Sequence, residues 1–276
     1  HYDFESFWDT PEEMRALFKK MGWRRVVSFQ TSKPMHRLQR EITLQAAKDI
    51  QGHILLHPTV GMTKPGDLQY YARVHCYRAI RRHFPHNLAM LSLLPLAMRM
   101  AGPREALWHA IVSQNYGCSH MIIGPKHAYP PAPTVGAGLP ANTPATPTPP
   151  TFYPEYAAQE LLEEFKDGLG IEIIPLEAMC YAPAKDRFLP ISQIERQGLG
   201  SIEYTDAQLK KDLAMGEEVP AWFSYPEVVR NLRKAYPPRS QQGFTLFFTG
   251  LSGSGKSTLA KIIYSRLVED GARPVT

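Results

Sequence analysis

Long hydrophobic runs are missing from this sequence of 276 residues. A membrane-spanning helix needs about 18 or more consecutive apolar residues, and no uninterrupted apolar run approaches that length. The start of the chain also lacks the basic-then-apolar pattern of a secretory signal peptide. We therefore expect no membrane span. The apolar fraction of 43% is that of an ordinary globular protein, with room for one large or two moderate domains.

Cysteine is scarce as well. The three cysteines, Cys76, Cys118 and Cys180, are odd in number and far apart in the sequence. That spacing fits neither a disulfide framework nor a zinc knuckle. A reducing cytoplasm is the simplest location for such a chain, so we expect a cytoplasmic protein.

Neither sign of charge dominates the sequence. The 31 basic and 26 acidic residues leave a net charge of +5 that is spread along the chain. A nucleic-acid-binding module needs a denser basic stripe interleaved with exposed aromatic side chains, whereas small anionic substrates need only local cations. We therefore expect no nucleic-acid partner.

The strongest chemical signal lies near the C-terminus. Residues 244–249 form a short apolar run typical of a buried strand, residues 259–268 have helical spacing, and between them lies Gly250-x-x-x-x-Gly255-Lys256-Ser257. In such a loop, glycines let backbone N–H groups turn toward phosphate oxygens, and the following helix adds the positive end of its dipole. A glycine-rich turn without a ligand is the alternative. The complete motif between a strand and a helix favours binding of a nucleoside triphosphate.

The motif assigns a role to each part of this loop. Lys256 is predicted to reach the β- and γ-phosphates of ATP and Ser257 to hold Mg²⁺, so these two are the predicted catalytic residues. The predicted ATP-binding residues are Gly250, Leu251, Ser252, Gly253, Ser254, Gly255, Lys256, Ser257 and Thr258.

The loop resembles that of one kinase family in particular. Residues 247–258 read Phe-Phe-Thr-Gly-Leu-Ser-Gly-Ser-Gly-Lys-Ser-Thr, and with residues 271–276 they closely resemble adenylylsulfate (APS) kinases, which phosphorylate the 3′-hydroxyl of APS. The sequence stops before the parts of that family that hold APS and complete the magnesium site. Because it also lacks an initiator methionine, we interpret it as an internal fragment of a longer protein.

Upstream of this loop, predicted strands alternate with helices. A capping box at residues 10–13 starts a helix that Gly22 ends. Strands are then predicted at 25–30, 53–57, 88–94, 119–124 and 171–175, and helices at 35–50, 67–84, 103–116 and 156–166. Such alternation implies a parallel sheet with helices on both faces, in which ligands bind at the carboxyl ends of strands.

Unusual polar residues gather at two of these strand ends, in residues 30–37 and 124–127. With the blocks at 60–67, 94–106, 115–120 and 222–227, they make roughly residues 1–238 resemble ATP sulfurylase. That family makes APS and pyrophosphate when sulfate attacks the α-phosphorus of ATP. The resemblance implies an α/β fold with a Rossmann-like nucleotidylyltransferase sheet. Followed by the start of an APS kinase, the arrangement resembles bacterial bifunctional sulfurylase–kinase proteins.

Three domains follow from these resemblances. Residues 1–180 form the predicted nucleotidylyltransferase domain, residues 181–238 a small, mostly helical sulfurylase subdomain, and residues 239–276 the first βα unit of a P-loop kinase domain. Residues 129–151, rich in Pro, Thr and Ala, form an insertion that we expect to be disordered. A partner-binding polyproline segment or a flap over the active site is the alternative.

Three sulfurylase signatures are altered in this sequence. In the family's Gln-Thr-Arg-Asn-Pro-x-His-Arg-Ala-His, the Arg, Asn and second His positions hold Ser32, Lys33 and Gln39. The family's Gly-Arg-Asp-His-Ala-Gly appears as Gly-Pro-Lys-His-Ala-Tyr at residues 124–129, and Ser-Gly-Thr-x-x-Arg as Thr-Asp-Ala-Gln-Leu-Lys at residues 205–210. The loss of one transition-state donor costs on the order of 10²–10³ in rate. We therefore predict an impaired sulfurylase beside a working APS kinase that makes 3′-phosphoadenylylsulfate.

Two alternatives stay open for the sulfurylase-like part. Lys33, Lys126 and Lys210 could replace the lost arginines and keep it active, or it could bind APS or hold an oligomer together without chemistry. The predicted remnant of its pocket consists of Gln30, Thr31, Lys33, His36, Arg37, Arg99 and His127. Arg99 and Arg104 either hold phosphate or brace the loop between them. The expected partners are ATP, APS and sulfate, with Mg²⁺ as the metal, and family habit suggests a homo-oligomer.

Overall fold

The computed structural model describes residues 4–61, 69–130, 152–238, 241–271 and 275. The chain divides into two compact units, His1–Pro238 and Arg239–Thr276, and each is described by itself. Residues 131–151, most of the predicted insertion, lie outside the described residues, as do residues 62–68, where a helix was predicted to begin.

The first unit is built on a five-stranded sheet. Its strands are β1 (Val26–Thr31), β2 (His53–Pro58), β3 (Ala89–Leu91), β4 (His120–Ile123) and β5 (Glu172–Pro175). Their order is β3-β2-β1-β4-β5, and every neighbouring pair is parallel, which confirms the predicted sheet. The chain builds outward from β1 first on one side, through β2 and β3, and then on the other, through β4 and β5.

Five helices accompany these strands along the chain: α1 (Pro11–Met21), α2 (Arg37–Asp49), α3 (Tyr70–Arg81), α4 (Pro103–Asn115) and α5 (Ala157–Glu164). The predicted capping box at the start of α1 is confirmed, since the Thr10 hydroxyl accepts the Glu13 N–H and the Glu13 carboxylate accepts the Thr10 N–H. Gly22 ends α1 with a φ of +71°, a conformation that glycine adopts without strain. None of the described helices is both long enough and apolar enough to cross a bilayer.

The end of the first unit contains a strand pair that the sequence prediction missed. Residues 181–238 were predicted to be mostly helical, whereas β6 (Met179–Ala182) and β7 (Arg187–Pro190) form an antiparallel pair. Strands of four residues are too short to show clear alternation. Three helices follow: α6 (Ile191–Arg196), α7 (Asp206–Met215) and α8 (Pro226–Ala235).

Helices cover both faces of the parallel sheet, as predicted. On one face, Ile54 and Leu56 of β2 pack in a core with Tyr77 of α3 and Leu232 of α8. On the other face, Leu55 packs in a second core whose helical members include Met14, Phe18, Ala106, Ala110 and Leu162. Successive residues of β2 thus enter opposite cores, as the pleat of a strand requires.

The second unit contains one helix among its described residues, α9 (Lys256–Asp270). The strand predicted at residues 244–249 is not formed. A strand is stabilised by hydrogen bonds to a neighbouring strand, and the described residues of this unit include no second strand to pair with. Apolar side chains are accordingly exposed here, among them Phe247 at 87% and Leu251 at 85%.

Candidate functional site

The candidate site of the first unit lies where the strand order reverses. β1 pairs with β2 on one side and with β4 on the other, so the carboxyl ends of β1 and β4 are adjacent. Gln30 and Thr31 end β1, and residues 124–127 follow β4. Open parallel sheets bind ligands at such a switch point, and the two altered signatures therefore meet there.

Gln30 is held in place by α4. Its side chain is 4% exposed, and Nε2 donates a hydrogen bond of 2.7 Å to the Ser113 hydroxyl, which in turn donates to the Ser28 hydroxyl at 2.9 Å. The other amide atom, Oε1, is buried and forms no hydrogen bond with the described residues. A buried acceptor without a partner is costly, so a donor group that reached Oε1 would be stabilised there.

His36 is buried at the N-terminus of α2. Its Nδ1 lies 2.8 Å from the Ser224 hydroxyl, and its ring packs 4.4 Å from the ring of Phe223. Burial lowers the pKa of His36 to about 4, so the ring is neutral at pH 7. Gln39, at the position of the family's second His, accepts the His36 backbone N–H at 2.9 Å and thereby caps α2.

Arg37 contacts the segment that precedes α8. Its guanidinium carbon lies 4.3 Å from the centre of the Tyr225 ring, a cation–π contact, and its backbone N–H donates to the Phe223 carbonyl at 3.1 Å. The contact joins two family-matching blocks, at residues 30–37 and 222–227. A role for Arg37 in ligand binding stays a prediction.

Two of the substituted positions meet across the fold. The Lys33 ammonium forms an ion pair of 2.5 Å with the Asp206 carboxylate, 173 residues further along the chain. Asp206 is the first residue of α7, where the helix dipole favours a negative charge. Both side chains are more than half exposed, at 67% and 58%. The positive charge that Lys33 brings to the end of β1 is therefore partly neutralised by the chain itself.

The second substituted lysine is arranged in the same way. Lys126 lies 3.7 Å from the Glu155 carboxylate, and its backbone N–H donates to the Glu155 carbonyl at 2.8 Å. Lys33 and Lys126 belong to the two altered signatures that lie at the switch point. Each of these lysines thus has a carboxylate partner. That arrangement weakens the field that either lysine can offer to an anion.

His127 follows β4 in a strained turn. Its Nε2 lies 3.0 Å from Nδ1 of His109, and burial, with a smaller contribution from His109, lowers the pKa of His127 to about 3. The flanking residues Lys126 and Ala128 have φ of +53° and +55°, a left-handed conformation that costs a non-glycine residue about 1–2 kcal/mol. The Ala128 carbonyl accepts the Gly102 N–H at 2.8 Å, which ties the turn to the start of α4.

Glu105 and His109 were not predicted from the sequence, although both contact predicted parts of the site. Glu105 is 4% exposed, and its two carboxylate oxygens accept the backbone N–H groups of Arg99 and Ala101 at 2.5 and 2.7 Å. Glu105 thus braces the loop to which Arg99 belongs, while the side chain of Arg99 is exposed. The one available signal was the spacing of Glu105 and His109, which places them on one face of a helix.

The glycine loop of the second unit is shaped by its backbone. Gly250, Gly253 and Gly255 have φ of +148°, +80° and +80°. A Cβ atom at Gly250 would lie 3.0 Å from the Ser254 hydroxyl, so the turn is closed as well as left-handed. The Lys256 ammonium reaches back over the loop and donates to the Leu251 carbonyl at 2.7 Å.

The residues present in this loop fit a nucleotide phosphate and a magnesium ion. Lys256 and Ser257 are the first two residues of α9, so both side chains begin at the positive end of the helix dipole. Mg²⁺ accepts one or two protein oxygen ligands with the rest from phosphate and water. Among the described residues no group of three or more His, Cys, Asp and Glu side chains could hold a metal ion.

Comparisons with known proteins match both units. A family model described as ATP-sulfurylase matches residues 5–235, and one described as adenylylsulphate kinase matches residues 242–276. Proteins named sulfate adenylyltransferase from Chaetomium globosum, Neurospora crassa and Yarrowia lipolytica are 46%, 45% and 44% identical to the chain over all 276 residues. The chain spans about half the length of these relatives, 46% in each case.

A solved structure gives a similar result. The chain resembles a protein described as hexameric APS kinase from Thiobacillus denitrificans, with a TM-score of 0.80 and 36% identity. The similarity covers 100% of this chain and 49% of the other.

Proposed function

The chain belongs to the ATP-sulfurylase family, and on that basis we propose that the full-length protein activates sulfate. In this proposal, the first unit transfers the adenylyl group of ATP to sulfate. A sulfate oxygen forms a bond to the α-phosphorus, the bond from that phosphorus to the β-phosphate oxygen breaks, and pyrophosphate leaves. The observation that supports the proposal is the pairing of β1, which contains Gln30, with β4, which precedes His127, in a chain similar throughout its length to sulfate adenylyltransferases.

The residues of this site supply hydrogen bonds more readily than charge. Gln30 offers a buried amide oxygen without a partner, and the low pKa values of His36 and His127 keep both rings neutral. Lys33 and Lys126, the positive groups that the altered signatures bring to this site, are each paired with a carboxylate. Because both reactants are anions, the proposal predicts adenylyl transfer that is slower than in a site with free arginines.

A second function belongs to the second unit. The complete glycine loop supports transfer of the γ-phosphoryl group of ATP to the 3′-hydroxyl of APS, with Lys256 on the phosphates and Ser257 on Mg²⁺. Bound Mg²⁺ would supply neutralisation of the phosphate charge. The two activities would run in sequence, because the product of the first is the substrate of the second. We further propose that the protein forms a homo-oligomer, since the similar solved structure is described as hexameric. A cytoplasmic location is proposed as well, on the three free cysteines.

A non-catalytic first unit is the competing proposal. It is favoured by the two ion pairs, Lys33 with Asp206 and Lys126 with Glu155, which occupy two of the three lysines in the altered signatures. In that case the unit would bind a nucleotide or support assembly without making APS.

The experiment that separates these proposals uses the full-length protein carrying Lys256→Ala, which silences the kinase. Pyrophosphate release from ATP is followed with and without sulfate, in the presence of pyrophosphatase. Release that depends on sulfate is the expected result. Absence of release, while the unmutated protein phosphorylates supplied APS, would overturn adenylyl transfer. ATP binding without turnover by the Lys256→Ala protein would then support the binding module.

A further inference from the structure

A line of three buried or partly buried ionisable side chains leads from α4 to the switch point. Glu105 Oε1 lies 3.4 Å from His109 Nε2, and His109 Nδ1 lies 3.0 Å from His127 Nε2. Glu105 and His109 are buried, with 4% and 0% of their surface exposed. His127 alone among the three belongs to a sulfurylase signature.

We propose that Glu105 and His109 are positioning residues that fix the tautomer and orientation of His127, with the proton of His127 on Nε2 and a free lone pair on Nδ1. The inference deepens the proposed adenylyl-transfer site and rests on it only for the identity of the ligand. The arrangement of protons follows from the contacts of the three side chains.

Glu105 determines which nitrogen of His109 carries the hydrogen. Both of its oxygens accept backbone N–H groups, from Arg99 and Ala101, so the carboxylate acts as an acceptor toward its surroundings. His109 Nε2 lies 3.4 Å from this carboxylate, a charge contact rather than a hydrogen bond, and is buried without a hydrogen-bond partner among the described residues. A lone pair on Nε2 would point at a negative oxygen, so the hydrogen of the neutral ring belongs on Nε2.

The tautomer of His127 follows from that of His109. A neutral imidazole carries one N–H, so with its hydrogen on Nε2 the Nδ1 atom of His109 is an acceptor. The atom 3.0 Å away, His127 Nε2, must then donate. His127 is neutral as well, and its Nδ1 is left unprotonated. Nδ1 is therefore the nitrogen with which His127 can meet a ligand, and it accepts from hydroxyl or amino groups.

The backbone around His127 supports a positioning role. Lys126 and Ala128, the neighbours of His127 in the chain, have left-handed φ values. Met100, in the loop that Glu105 braces, also has one, with a φ of +58°. Glu105 and the hydrogen bond from Gly102 to Ala128 hold the two loops in these conformations. Strain of this kind persists where surrounding contacts determine the conformation, as they do at binding and catalytic sites.

The test measures the tautomer directly. In this chain labelled with ¹⁵N at the ring nitrogens of histidine, long-range ¹⁵N–¹H correlation spectra at neutral pH show which nitrogen of each ring carries the proton. A His127→Gln variant identifies the signals of His127. The expected spectrum has His127 protonated on Nε2 by about tenfold over Nδ1, the ratio that one hydrogen bond of about 1.4 kcal/mol maintains. His127 protonated on Nδ1, or an even mixture, would overturn the proposal without any further variant.

Two variants of His109 separate positioning from simple packing. In His109→Gln, the amide nitrogen can donate toward Glu105 and the amide oxygen can accept from His127, so the tenfold preference should be kept. In His109→Leu, the acceptor is gone and the preference should fall severalfold, toward the ratio of a histidine ring without that hydrogen bond. A folded His109→Leu protein with an unchanged preference would contradict the proposal that His109 positions His127. Loss of the preference in His109→Gln would contradict it as well. Neither readout depends on pyrophosphate release. Failure of the proposed positioning of His127 can therefore be distinguished from failure of the proposed function.

Discussion

The glycine loop and the strand-end site both suit anionic ligands, yet they are built in opposite ways. Residues 250–258 are contiguous, retain every motif residue and present backbone groups at the start of one helix. The strand-end site is assembled from β1, β4, α4 and α7, and its lysines are paired with carboxylates from distant parts of the chain. A contiguous site depends on one local backbone conformation. An assembled site depends on many separate contacts, each of which a substitution can redirect.

The largest expected effect concerns the contiguous site. Lys256→Ala in the full-length protein should lower APS-dependent ADP formation by about 100-fold or more, because a single preorganised cation on the transferred phosphate contributes on the order of 10²–10³. The measurement is a coupled ADP assay with supplied APS. Lys261→Ala is the matched control, since Lys261 is an exposed lysine of the same helix. Retained activity in Lys256→Ala would place the phosphate-binding cation elsewhere.

The next prediction concerns acid sensitivity, the loss of folding stability at low pH, which should arise in the first unit. His36 and His57 are buried there, with pKa values that burial lowers to about 4 and about 3, whereas residues 239–276 contain no histidine. Both ring nitrogens of His57 lack hydrogen-bond partners among the described residues. In the unfolded chain histidine titrates near 6.5, so the unfolded state binds more protons below that pH. The stabilisation is complete above about pH 6.5 and is lost as pH falls toward the folded values.

His57 gives the cleanest measurement of this loss. Between pH 8 and pH 5, protonation of this one residue in the unfolded state should lower the free energy of unfolding by about 2 kcal/mol. Urea unfolding at the two pH values should therefore show a smaller acid loss in His57→Leu than in the unmutated chain. His86→Gln, at an exposed histidine, should leave the loss unchanged. An equal acid loss in His57→Leu and the unmutated chain would show that His57 does not resist protonation.

The smallest expected effect concerns the ion pair between Lys33 and Asp206 in the strand-end site. Asp206→Asn removes the partner of Lys33, so the apparent affinity of the full-length Lys256→Ala protein for ATP should rise about two- to fivefold. The melting temperature should change little, because both side chains of the pair are largely exposed. Glu217→Gln, just beyond the opposite end of α7, is the control. Unchanged or weaker ATP binding in Asp206→Asn would mean that Lys33 does not face the nucleotide.

Sequence patterns predicted the helices and the parallel strands well, because the residues that determine them are local. The capping box of α1 and its terminal glycine lie within the helix ends themselves, and both are confirmed. The pair β6–β7 was missed because its strands are four residues long. The strand at residues 244–249 was predicted but is not formed, because the described part of the second unit contains no strand that could pair with it. Glu105 and His109 were missed because their role appears only when α4 lies beside the turn after β4.

The sequence by itself determined the α/β class, the glycine loop and the altered signatures, since each is a pattern of residues close together in the chain. Only the tertiary structure decided that β1 lies between β2 and β4 and that Lys33 pairs with Asp206. It also decided that His109 contacts His127 and, on its other side, the buried carboxylate of Glu105. Such contacts join residues far apart in sequence. They depend on how whole strands and helices pack, and local periodicity does not determine that packing.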